Sequence, residues 1–151
     1  MRIDWKMTKQ KITKIESKNL VVSGKRKTAI AKATIKPGTG KILINHRPIA
    51  VLGYFKYLSI QEPLKIAEDI LKEKSNTYDI NVIVTGGGVQ SQTEASRLAI
   101  ARALVQVTGN EELKKAFLHY DRSLLVADVR RKEQRKPNDS RARASRQKSY
   151  R

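Results

Sequence analysis

Tyr78-Asp79-Ile80-Asn81-Val82-Ile83-Val84-Thr85 runs into Gly86-Gly87-Gly88, and then into a segment carrying Ala95, Leu98, Ala99, Ile100, Ala101, Ala103, Leu104 and Val105. The first part alternates, with Ile80, Val82 and Val84 on one face and Asn81 and Ile83 on the other, which is the period of a strand. The glycines break that period sharply. From Ser91 to Val107 the chain is apolar nearly all round over a length no ordinary strand reaches, so it reads as a central helix buried on most sides. A strand feeding such a helix requires a sheet for the helix to cover.

The sheet is supplied upstream. Leu20, Val21 and Val22 begin a strand that runs into Ser23-Gly24-Lys25-Arg26-Lys27. From Thr28 to Lys36, Ala29, Ala31, Ala33 and Ile35 share one face and Ile30, Lys32 and Thr34 the other. The alanine face predicts a helix packed close against it. Pro37-Gly38-Thr39-Gly40 has turn chemistry, and Lys41 to Asn45 resumes as a strand, so these two strands are expected to pair as a hairpin. A short apolar stretch follows from Pro48 to Tyr57. Pro63 suits a first helical turn, with Leu64, Ala67, Ile70 and Leu71 at helical spacing, Glu68 and Lys72 as an i,i+4 pair, and an end near Ser75-Asn76. Downstream, Gly109 is placed to end the central helix and Asn110 to cap another. Glu111 and Glu112 suit the positive end of that helix, and Leu113, Phe117 and Leu118 form its apolar stripe. Ser123 to Ala127 closes the folded part.

Charge divides the chain of 151 residues differently. The net charge is +18, but residues 1–36 hold eleven basic and two acidic side chains, residues 37–129 hold eleven and ten, and residues 130–151 hold ten and two. The middle is electrically ordinary. The expected organisation is a basic arm at 1–18, a globular domain at 19–128 and an extended basic tail at 129–151. The tail has almost no large aliphatic side chains, so it cannot bury enough apolar surface to offset the entropy of ordering itself, and is expected to order on a polyanion. Basic residues alternate there with small ones: Arg130, Arg131, Lys132, Arg135, Lys136, Arg141, Arg143, Arg146 and Lys148 are the candidate RNA contacts, together with Lys25, Arg26 and Lys27 in the folded part. Tyr150 beside Arg151 offers one ring for stacking at the chain end.

Other chemistries are poorly provided for. The chain has no cysteine, which excludes disulfides, thiolate metal sites and cysteine nucleophiles. His46 and His119 are far apart, and neither has a ligand partner at helical spacing, so no metal or cofactor is expected. Gly86-Gly87-Gly88 lacks the Gly-Lys-Ser/Thr that a phosphate-gripping loop needs; Val89-Gln90-Ser91 follows instead. Those glycines are read first as a structural strand-to-helix turn, with an RNA-backbone contact as the alternative. Arg97 and Arg102 interrupt the apolar helix at positions that do not share a face, and one or both are read as reaching out along the helix to solvent or RNA. No run is long and apolar enough for a membrane span, and the start resembles neither a signal nor a transit peptide, so a cytoplasmic location is expected.

Gly24-Lys25-Arg26-Lys27-Thr28-Ala29, Ile35-Lys36-Pro37-Gly38-Thr39-Gly40-Lys41-Ile42, Gly86-Gly87-Gly88 with Gln92, Ala95, Arg102, Ala103 and Leu104, and the ending Gln147-Lys148-Ser149-Tyr150-Arg151 together resemble the family of ribosomal protein nine of the small subunit. The final Ser-Tyr-Arg is similar to its archaeal and eukaryotic branch. The resemblance runs from about Leu20 to the C-terminus and implies an α+β fold. Its mainly four-stranded sheet would be covered by helices, as in the second domain of ribosomal protein five, with a left-handed crossover. It implies no enzyme. It implies binding to small-subunit rRNA in the head, beside neighbouring head proteins, with a tail approaching P-site tRNA, a role falling on Lys148, Tyr150 and Arg151. At Lys136-Pro137-Asn138-Asp139 the sequence departs from the glycine-rich pattern of the branch. The residues alone also admit a protein subunit of another ribonucleoprotein, such as a ribonuclease P-like particle, or an architectural DNA-binding protein.

Overall fold

The computed structural model describes residues 19–71, 78–137 and 141–144. Strand β1 (Leu20–Arg26) and strand β2 (Ala29–Pro37) form an antiparallel hairpin in which Arg26 lies opposite Ala29. Lys27 in its tip has φ of 52°, the left-handed region that a short hairpin loop demands. The expected alternation holds along β2: Ala29, Ala31, Ala33 and Ile35 are buried, while Ile30, Lys32 and Lys36 are exposed.

The expected hairpin between β2 and the next strand does not form. Strand β3 (Ile42–Ile44) is separated from β2 by β5 (Tyr78–Thr85), which is antiparallel to β2 and parallel to β3. The turn residues explain the correction. Asp79 on β5 accepts hydrogen bonds from the backbone N–H of Thr39 at 2.8 Å and of Lys41 at 2.9 Å, and the Ile80 N–H donates to the Lys41 carbonyl at 2.9 Å. The loop is thereby tied across the end of β5 and cannot fold back on β2. Those donors, Lys41 first and then Thr39, hold the Asp79 carboxyl below its ordinary range.

A fifth strand completes the sheet, where four were expected. Strand β4 (Arg47–Pro48) pairs antiparallel with β3 through Asn45 and His46, whose φ values of 48° and 64° are both left-handed, as a tight two-residue hairpin requires. Asn45 fixes that turn by accepting from the Val84 N–H at 2.8 Å and donating to the Val84 carbonyl at 3.2 Å. The strand order is β1-β2-β5-β3-β4.

Helix α1 spans Tyr54–Leu71, α2 Val89–Thr108 and α3 Glu111–Tyr120. The expectation that Pro63 sits in a first helical turn is corrected: it lies inside α1, which begins nine residues earlier. A mid-helix proline lacks one N–H and costs about 3 kcal/mol. Burial offsets that cost, because Ile60, Pro63 and Ala67 are all buried on one side of α1. The expected end of this helix near Ser75-Asn76 falls outside the described residues.

Helix α2 lies over β1, β2 and β5, with α1 and α3 packed against it. Its approach to the sheet is closest at Gly24, where an added Cβ would stand 2.3 Å from the Ala95 carbonyl oxygen and 2.7 Å from the Ala99 nitrogen. Small residues on both sides make this contact possible: Ala29, Ala31 and Ala33 on the sheet, and Ala95, Ala99 and Ala103 on the helix, are fully buried. Gly109 ends α2 in the left-handed conformation, its N–H bonding the Val105 carbonyl, and the Asn110 side chain caps α3 through the Glu112 N–H at 2.8 Å. Leu113 and Phe117 anchor α3, but Leu118 is largely exposed and does not belong to the stripe. A 3-10 turn, Arg122–Leu124, then buries Leu124.

Candidate nucleic-acid interface

The glycine turn joins β5 to α2 against the hairpin tip. Gly86 and Gly87 have φ of 73° and 70°, and a Cβ on them would lie 2.6 Å from the Thr28 carbonyl oxygen and 2.9 Å from the Ala29 Cβ respectively. Both positions therefore need glycine for conformation and for space. Gly88 differs, for its φ is −94° and nothing lies within 4 Å of its missing Cβ. Gln92 closes the turn, its side-chain amide donating to the Gly86 carbonyl at 3.1 Å.

Beside this turn, Lys25 and Lys27 are exposed, whereas Arg26 is not available in the same way. Its guanidinium bonds the carboxylates of Glu94 and Asp128. Asp128 in turn accepts from the Arg130 backbone N–H at 2.8 Å and from the Arg130 guanidinium at 2.7 Å. Glu94, Arg26, Asp128 and Arg130 thus alternate in sign and join the first turns of α2, the hairpin tip and the first tail residues. The bonds from the Arg130 side chain and N–H, then the charge of Arg26, drive the Asp128 carboxyl far below its ordinary range. The Arg26 and Arg130 guanidinium groups are correspondingly raised, by Glu94 first for Arg26 and by Asp128 first for Arg130. Nothing local marks Glu94 and Asp128 as partners of Arg26, since they lie 68 and 102 residues away.

The helix arginines are also engaged internally, contrary to the expectation that they reach solvent or RNA. Arg97 bonds Glu62 and, at 3.0 Å, Asp121. Burial alone would raise the Asp121 carboxyl, but the Ser123 hydroxyl and N–H together with Arg97 outweigh it and lower it. Arg102 donates to the Leu125 carbonyl at 2.8 Å and to the Ser23 carbonyl at 3.0 Å, pinning the chain after α3 and the middle of β1 to α2. An open cleft of about 330 Å³ lies among Lys25, Arg26, Glu62, Glu94, Arg97 and Asp128. Its mixed signs suit neither a phosphate nor a metal ion.

From residue 129 to 137 the chain is exposed throughout and has no helix or strand. Arg130, Arg131, Lys132, Arg135 and Lys136 stand there against Glu133 alone, and Arg143 returns to bond Glu133 at 2.9 Å. Arg141 is exposed as well. Arg146, Lys148, Tyr150 and Arg151 lie outside the described residues. Among the described residues, no group of His, Asp and Glu is arranged to hold a metal, and no helix is long and apolar enough to cross a membrane.

Residues 24–151 match the family described as ribosomal protein S9/S16. The chain belongs to that family. Its similar relatives include the proteins named small ribosomal subunit protein uS9 in Methanococcus maripaludis strains C5 and C7. Each is 48% identical over 132 residues, which covers 85% of this chain and 95% of the relative. The S9/S16 match takes in the hairpin tip, the glycine turn, the ion-pair chain and the whole tail.

Proposed function

We propose that this protein is a structural, non-catalytic constituent of the small ribosomal subunit in the cytoplasm, binding small-subunit rRNA in the head among neighbouring head proteins. The observation that carries this reading is the extent of the family match, which continues from the folded part to Arg151 without stopping at the domain edge. The tail supports it physically. Five exposed cations and one acid over residues 130–136, with no secondary structure, suit a chain that threads between phosphates. Lys25 and Lys27 extend that surface onto the hairpin tip, while Arg26 anchors the tail and reaches phosphate only by leaving its carboxylates.

On this reading the domain at 19–128 is the folded body, the tail at 129–151 threads along RNA, and the basic arm at 1–18 meets RNA or a neighbouring protein. Lys148, Tyr150 and Arg151 take the position near P-site tRNA. The parallel β3–α1–β5 unit fits a fold like the second domain of ribosomal protein five. Equilibrium binding of the purified chain to the 3′ domain of small-subunit rRNA, to ribonuclease P-type RNA and to duplex DNA tests the assignment. Preference for the rRNA fragment at near-physiological salt is expected, and equal affinity for all three would return the reading to an architectural one.

A further inference from the structure

The helices occupy one side of the sheet, and the other side is bare among the described residues. Its outward side chains follow from the strand register: Ser23 lies opposite Lys32 and Lys32 opposite Ile83, Lys25 lies opposite Ile30 and Ile30 opposite Thr85. All of these are exposed, as are Val21 and Lys36. This is an unusual face to leave open, because Val21 and Ile83 are 59% and 48% exposed, with Val21 opposite Thr34 and Ile83 opposite Lys32.

We propose that this open sheet face is a second RNA-binding surface, separate from the tail, which takes the sugar-phosphate backbone of a helical rRNA segment. The charge of the face and of the chain around it selects the occupant. No Asp or Glu occurs between Glu16 and Glu62, so β1, β2, β3 and β4 contribute no acid to the face. The only outward carboxylate on β5 is Asp79, and the N–H groups of Thr39 and Lys41 already hold it. The other parts of the chain that could lie over the face carry the same sign: residues 1–18 hold six basic and two acidic side chains, and residues 130–151 ten and two. A second copy would present lysines to lysines. A polyanion is the partner that fits.

The type of contact follows from the side chains. Among the described residues no aromatic ring stands in the middle of the face, so unpaired bases have no platform on which to stack. Lys32 and Lys36, four residues apart on β2, and Lys25 diagonally across from Lys32 on β1, with Ser23, Thr34 and Thr85 among them, are placed to meet separate phosphates and ribose hydroxyls, and the aliphatic groups pack on the sugars. Recognition is by shape and charge, without base readout.

This inference rests on the ribosomal reading, and the absence of native cysteine makes a site-directed test possible. Lys32→Cys and Ile83→Cys, each carrying a tethered Fe–EDTA group, are assembled into small subunits beside Lys115→Cys on the exposed side of α3. Hydroxyl radicals from positions 32 and 83 are expected to cut the same tract of helical rRNA, and those from position 115 a different one or none. If the labelled proteins enter the subunit but positions 32 and 83 cut no RNA, the sheet face covers protein or solvent and the inference fails, with the ribosomal reading intact. If the unlabelled wild-type chain does not enter the subunit, the ribosomal reading itself fails. A second measurement does not depend on labelling. The Lys32→Gln/Lys36→Gln protein, with unchanged melting temperature, should lower the log–log salt slope of rRNA binding by about 0.7–0.9 for each phosphate no longer neutralised. An unchanged slope would overturn the proposal.

Discussion

Arg26, the last residue of β1, bonds the carboxylate of Asp128, 102 residues further along the chain. Arg130 bonds the same carboxylate, sharing its Oδ2 with Arg26. The tail therefore leaves the domain from a fixed point at the hairpin tip, beside the glycine turn and the exposed Lys25 and Lys27.

Asp128→Asn removes the negative charge between the two guanidinium groups. Because the folded-state carboxyl is held far below its ordinary value, its stabilising effect is fully present above the unfolded value of about 3.9 and is lost as pH falls toward the folded one. The variant should melt below wild type at pH 7. The gap should persist down to about pH 4 and close below it, in thermal melts followed by circular dichroism. A gap that stays constant to about pH 2 would mean that charge is not the cause.

Gly24→Ala and Gly88→Ala should separate by their surroundings. The first drives a methyl group into the Ala95 carbonyl and the Ala99 nitrogen, so it should cost about 2–3 kcal/mol or more, as overpacking does. The second meets open space at a φ any residue adopts, and should stay within about 0.5 kcal/mol of wild type. Gly87→Val, with both a positive φ and Ala29 in the way, belongs with Gly24→Ala. Denaturant unfolding of the three variants measures the order.

Arg102→Met keeps the aliphatic stem and removes the bonds to the Ser23 and Leu125 carbonyls. The expected loss is about 1.5–3 kcal/mol, the range for hydrogen bonds to a charged group. Amide exchange should quicken in β1 and around Leu124 before it quickens in α3. Uniform quickening would assign the loss to the whole domain and not to this pin.

What the sequence made legible was whatever depends on neighbours within a few residues. The Ala29, Ala31, Ala33 and Ile35 face, the Gly109 stop and the Asn110 cap are local, and the structure places them as the pattern implies. The β2–β3 hairpin failed because its turn is captured by Asp79, some 40 positions away, which no turn rule sees. Pro63 misled for a related reason: tertiary burial of Ile60 and Ala67 carries α1 through a residue that local propensity treats as a start. The sequence showed Lys25-Arg26-Lys27 as one cluster, and long-range ion pairs divide it into two exposed lysines and one anchored arginine.

Deleting residues 130–151 should reduce the salt dependence of rRNA binding more than any substitution in the domain, since ten of the chain's basic side chains go with it. Deleting only Ser149, Tyr150 and Arg151 should spare assembly and speed tRNA dissociation from the P site, by a factor corresponding to about 1–2 kcal/mol for one or two partly solvated contacts. Wild-type dissociation from fully assembled truncated subunits would remove the proposed tRNA contact.

Sucrose-gradient sedimentation of a cell extract, with quantitative detection of this protein, tests its proposed membership of the small ribosomal subunit. The protein should peak with the small subunit and with whole ribosomes at about one copy per small-subunit rRNA, and remain there through a wash at salt high enough to strip non-specific cationic proteins. A peak at the top of the gradient, or a substoichiometric trace that the wash removes, would mean that the protein is not a constituent of the small subunit.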